Sequence, residues 1–155
     1  MNVTQKNKEK GFTIIEVVLV LAIAGLIFLM VFIALPALQR GQRDTQRKND
    51  MSRVQTAIQN FQSNNRNKLP QTADWNGDFI SKYLAVGGDT FADPNGTNYM
   101  FTATGNIPDD FAGDGKIFYT VGSVCDGEAL KSGQGGNKVA IRYKLEGGGV
   151  ACQSN

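Results

Sequence analysis

The chain has 155 residues, 41% of them hydrophobic, with a formal charge of +2 and no histidine. The missing histidine removes the commonest general base, proton shuttle and metal ligand, which argues against an enzyme. The excess charge lies wholly in Lys6, Lys8 and Lys10 against Glu9. After Gly11 the chain holds 13 basic and 13 acidic residues, and from Arg66 onward 8 and 10, so the balance gives no reason to expect nucleic-acid binding by the C-terminal part.

From Phe12 to Leu38 the chain runs for 27 residues with one charge, Glu16. About 20 apolar residues in a helix cross a hydrocarbon core, so this run predicts a membrane-spanning helix. A cleaved secretory signal would have a shorter apolar region followed by a small-residue site. Basic residues flank the run on both sides (Lys6, Lys8 and Lys10 before it; Arg40, Arg43, Arg47, Lys48 and Arg53 after), so charge counting leaves its orientation open. A carboxylate in such a helix costs a few kcal/mol on insertion scales of about that size, so Glu16 either sits at the wet interface or has a partner.

Beyond Pro36 the pattern turns amphipathic. Met51, Val54, Ile58 and Phe61 recur at spacings of three and four and predict one buried helical stripe. Arg43, Asp44, Arg47, Lys48, Asp50 and Arg53 are assigned to the remaining faces, as a solvated surface or as charge pairs between packed subunits rather than a DNA or lipid surface. Asn64 and Asn65, then Leu69-Pro70, mark the stop. A short helical segment is predicted at Asp78 to Val86, a tight turn at Asp93-Pro94-Asn95-Gly96, and strands at Asn98 to Thr104, Lys116 to Val124 and Lys138 to Leu145. The last alternates as a half-buried antiparallel strand should, and a short final strand is expected around Val150 to Cys152. The fold class is therefore α+β: a long N-terminal helix packed through its second half on a small antiparallel sheet of three or four strands. An even pair of cysteines, Cys125 and Cys152, suits a disulfide in an oxidising compartment, two separate buried thiols being the alternative.

The heptapeptide Lys10-Gly11-Phe12-Thr13-Ile14-Ile15-Glu16, a basic leader followed by glycine, an aromatic residue and an apolar helix with glutamate fifth, resembles the class III signal of type IV prepilins and pseudopilins. The resemblance implies a leader, residues 1–11, removed between Gly11 and Phe12 by a prepilin peptidase, and N-methylation of the new Phe12 amine. It divides the rest into a membrane and fibre-core helix (12–38), its amphipathic continuation (39–64) and a globular head (65–155). The same resemblance implies that the Phe12 ammonium of one subunit neutralises Glu16 of its neighbour. Gly25 falls at the family's glycine position, whereas Pro36 lies three residues later than its commonest proline. The stretch Asp93 to Tyr99 resembles a turn common in the family, and Cys125 with Cys152 fits its C-terminal disulfide loop.

The implied function is a structural subunit, a major pilin, of an extracellular type IV pilus, held in the cytoplasmic membrane before assembly. Its partners would be copies of itself, the prepilin peptidase, the pilus assembly platform and minor pilins. A pseudopilin of a type II secretion or DNA-uptake system shares every N-terminal feature, and a signal-anchored binding module that keeps its leader is the reading outside the family. No cofactor is expected. Asp74, Asn76 and Asp78 have the alternation of a calcium loop but lack its glycine and terminal glutamate, and Asp89, Asp93, Asp110 and Asp114 are the other calcium candidates. Gly133-Gln134-Gly135-Gly136 lacks the lysine of a phosphate loop.

Overall fold

The structure is a computed structural model describing residues 11–107 and 115–155. Its first long element is helix α1, Ile14–Asn64, which contains Pro36 and runs through Gly25 without interruption. The chain divides into two compact units, Met1–Leu38 and Gln39–Asn155.

In the first unit the apolar run is helical and its large side chains, from Phe12 to Leu38, are exposed within the chain. It is long and apolar enough to cross a membrane. Water would not tolerate that much uncovered apolar surface on a monomer, so lipid or other protein must cover it.

The second unit is an α+β domain, as expected. The remainder of α1 lays Met51, Val54, Ala57 and Ile58 against a four-stranded sheet, with Phe61 packed beside them. The strands are β1 (Met100–Ala103), β2 (Lys116–Val121), β3 (Ser123–Asp126), β4 (Ala129–Ser132), β5 (Val139–Lys144) and β6 (Val150–Ser154). The main sheet has the order β1-β2-β5-β6, and β3 and β4 form a separate hairpin. Trp75, Phe79, Phe101 and Tyr119 interlock at the centre of the core, Trp75 stacking on Tyr119 with ring centroids 4.4 Å apart.

The helix ends where Asn64 and Asn65 predicted. Arg66 and Asn67 take left-handed conformations (φ 54° and 60°), and the Asn67 amide closes onto the Gln62 carbonyl at 2.8 Å. The expected helical segment after Asp78 is a short turn with wide, π-type bonding, Ile80–Leu84, in which the Ala85 amide reaches the Ile80 carbonyl at 2.7 Å. Its Phe79 and Leu84 are buried, and Ile80 and Tyr83 pack against the core.

Four strand expectations need correction. First, β1 pairs with β2 in parallel, while β2–β5 and β5–β6 are antiparallel, so the sheet is mixed. Second, the strand expected at Lys116 to Val124 is two strands. Gly122, at φ 73°, turns the chain between β2 and β3, a conformation that costs a side-chain-bearing residue dearly. Third, β4 was not anticipated. It pairs Asp126 with Ala129 across the two-residue turn Gly127-Glu128, and Gly127, at φ 63°, is the glycine that such a hairpin favours at its first turn position. Fourth, β5 is buried on both faces: Ala140 and Arg142 are buried like Val139, Ile141 and Tyr143, with Arg142 donating to the Gly105 carbonyl at 2.9 Å. Cys125 on β3 and Cys152 on β6 are joined by a disulfide, Cα atoms 5.8 Å apart, which fastens the hairpin to the main sheet.

Candidate functional site

At the N-terminal motif, Gly11, Phe12 and Thr13 precede the helix, and the first helical bond runs from the Val17 amide to the Thr13 carbonyl at 3.3 Å. Thr13 is the N-cap. Its backbone amide and its hydroxyl both donate to Glu16 Oε2 at 2.9 Å, and its Oγ1 accepts from the Glu16 amide at 3.3 Å. This reciprocal arrangement is a capping box, in which a threonine and the acidic residue three positions on satisfy each other's backbone donors. It also places a carboxylate at the positive end of the helix dipole. Phe12 is 89% exposed and Glu16 is exposed too, so the residues around the Gly11–Phe12 bond are open to solvent or to a partner. The leader residues 1–10 lie outside the described residues.

In the second unit only some of the charges on α1, Lys48 and Arg53 among them, form the exposed face that was expected. Asp44, Arg47 and Asp50 are buried, and they continue the Met51–Val54–Ile58 stripe towards the N-terminus at spacings of three and four. Arg47 has a fully enclosed side chain that forks onto Asp93, Nε to Oδ2 at 2.7 Å and Nη2 to Oδ1 at 2.8 Å, and also reaches Asp44 and Glu146. The hydrogen bond with Asp93 raises the Arg47 pKa further above its ordinary value. Burial by itself would raise the Asp93 carboxyl, but hydrogen bonds from Arg47 and Tyr143 outweigh it and hold Asp93 below the usual carboxylate range. Arg43 hydrogen-bonds Glu146 and, with Arg47, draws its pKa down to about 2. Asp44 accepts the Glu146 and Gly147 amides at 2.9 and 2.7 Å, so the turn between β5 and β6 is clamped onto the helix. Asp50 takes a hydrogen bond from the Tyr99 hydroxyl at 3.0 Å, and burial raises the pKa of both groups.

The calcium candidates are dispersed. Asp93 is committed to Arg47 and Tyr143, and Asp89 pairs with Arg53 at 2.6 Å. Asp78 pairs with Lys82, Asp74 accepts the Gln71 amide, and Asn76 bonds the backbone of Phe101. Asp110 and Asp114 lie outside the described residues. Among the described residues no group of three or more acidic, cysteine or histidine side chains is placed to hold a metal ion. The turn at Asp93 forms as expected, with the Gly96 amide on the Asp93 carbonyl at 2.8 Å.

Residues 6–32 match the family described as the prokaryotic N-terminal methylation motif. With the capped apolar helix behind it, that match supports a type IV pilin-like precursor carrying a class III signal. Such a motif points to a structural protein, anchored in the membrane as a precursor, processed by a prepilin peptidase and assembled into filaments in general. No curated protein and no solved structure matches the chain.

Proposed function

We propose that this chain is the major structural subunit of an extracellular type IV pilus. It is inserted in the cytoplasmic membrane, cut between Gly11 and Phe12, N-methylated on Phe12 and packed with copies of itself through residues 12–38. The observation that carries this reading is Glu16, the single charge on a helical segment whose large apolar side chains have no cover within the chain. When such helices bundle, an unpaired buried carboxylate is strongly unfavourable. Cleavage supplies its counter-charge, because hydrolysis leaves an ammonium on Phe12, about one helical turn from Glu16. Thr13 takes Oε2, and Oε1 is the oxygen a neighbour's ammonium would reach. A subunit can dock only in the register that joins the two charges. The disulfide of the head supports export to an oxidising compartment. The reading requires no cofactor.

The deciding experiment is Glu16→Ala. The substitution leaves Thr13 Oγ1 on the backbone amide of residue 16, so the helix start survives and the precursor is inserted and cut, but pili are lost. Normal pili from that variant would refute the pairing. Mass spectrometry of the native protein is expected to find N-methylated Phe12 as the first residue, and an intact leader would sink the polymer reading altogether. Deletion of the chain is expected to abolish a surface fibre. Loss of secretion with no fibre involved would make the subunit a pseudopilin.

A further inference from the structure

We propose that Thr13 is a positioning residue for the cut between Gly11 and Phe12, an inference that rests on the prepilin reading above. In the cut, water adds across the peptide bond, leaving a carboxylate on Gly11 and an ammonium on Phe12. The attacking water must reach the Gly11 carbonyl carbon, and a carbonyl inside a helix is bonded to the amide four residues on and screened by side chains. Gly11, Phe12 and Thr13 lie outside the helix in this structure, which therefore presents the scissile bond uncovered. Something must hold the helix start there. Where the chain enters the hydrocarbon, unbonded backbone groups are costly, so a helix tends to grow until its donors and acceptors are used.

The capping box supplies the stop. In a helix continued backwards, the Glu16 amide would bond the Phe12 carbonyl and the Thr13 amide would bond the Glu9 carbonyl. Instead Thr13 Oγ1 takes the Glu16 amide at 3.3 Å, and Glu16 Oε2 takes the Thr13 amide at 2.9 Å. Two of the four bonds that would carry the helix back over the scissile peptide, the first and the last, are consumed. Gly11 by itself is a weaker barrier, since glycine disfavours a helix without ending it.

The test measures initial rates of cleavage of the full-length chain in detergent by a prepilin peptidase, with Thr13→Val and Thr13→Ser beside wild type. Valine keeps the shape and removes the cap; serine keeps the cap. Loss of the cap lowers the fraction of chain in the cleavable conformation, so KM rises while kcat holds. The expected rise for Thr13→Val is up to about fivefold, the ceiling set by an N-cap worth about 1 kcal/mol. Thr13→Ser is expected to restore wild-type KM. A wild-type KM for Thr13→Val, or a Thr13→Ser variant as poor as Thr13→Val, overturns the positioning role. If wild type is cut at Gly11–Phe12 and Thr13→Val is indifferent, only this inference falls; if wild type is not cut there, the prepilin reading falls with it.

Discussion

Arg47 and Asp93 lie 46 residues apart and meet as a two-pronged ion pair, at 2.7 and 2.8 Å, with both side chains fully enclosed. The pair ties the helix to the turn that precedes β1, and the Tyr143 hydroxyl completes the Asp93 carboxylate at 2.7 Å. Such a pair is a poor source of stability against an apolar replacement of both partners, yet removing one partner leaves the other buried and uncompensated.

Arg47→Met is therefore expected to destabilise the chain by about 3–5 kcal/mol. Arg47→Lys is expected to recover little of that, because the compact lysine ammonium lacks the planar fork that meets both carboxylate oxygens. Urea melts of the full chain in detergent provide the measurement. An unchanged midpoint for Arg47→Met would show that the pair carries no weight.

Acid is expected to loosen the same region. Glu146 has a folded pKa of about 2 against an ordinary 4.5, lowered chiefly by the hydrogen bond from Arg43, and Asp93 is lowered as well. A depressed carboxyl stabilises the fold in full above its ordinary pKa, and that contribution is lost as pH falls through the folded value. The loss should thus run between about pH 4.5 and pH 2, softened by Asp50, whose raised pKa acts in the opposite sense. Melting temperatures across that range should fall less steeply for Glu146→Gln than for wild type. Identical acid limbs in the two proteins would remove Glu146 from the account.

Asn76 closes the open edge of the main sheet. Its side-chain amide accepts the Phe101 amide at 2.6 Å and donates to the Phe101 carbonyl at 2.9 Å, standing in for a neighbouring strand on the outer side of β1. Asn76→Ala is expected to cost about 1–3 kcal/mol for the partly buried groups it strands. It also exposes a strand edge able to pair with another copy, so light scattering on the detergent-solubilised chain should detect concentration-dependent association. A variant that melts and scatters like wild type would rule out the edge role.

Much of the helix and its chemistry was legible in the residues alone. The apolar run, the charge at Glu16 and the heptapeptide from Lys10 are consecutive in sequence, and local periodicity carries that information without help from distant contacts. The same holds for the Met51–Phe61 stripe, the stop after Asn64 and the turn at Asp93. The capping box is equally local, since a threonine followed three residues later by glutamate before an apolar run is its signature, although the charge of Glu16 points first to lipid and to a neighbour.

What sequence could not decide was where charges and strand edges find partners. Asp44, Arg47 and Asp50 read as a solvent face because isolated charges are rarely buried. They are buried because Asp93, Tyr99 and Glu146 return to them from turns and strands 46, 49 and 102 residues away. Likewise the parallel direction of β1, the two-sided burial of β5 and the plugging of the β1 edge by Asn76 depend on which strands become neighbours. Periodicity ranks the faces of one segment, and only the assembled sheet sets which segment lies opposite. The sequence by itself therefore determined an apolar, singly charged helix with a capping signature at its start and a class III signal leading into it. The tertiary structure decided that the charges next along that helix belong to the interior of the head, because only there do partners exist to compensate their desolvation.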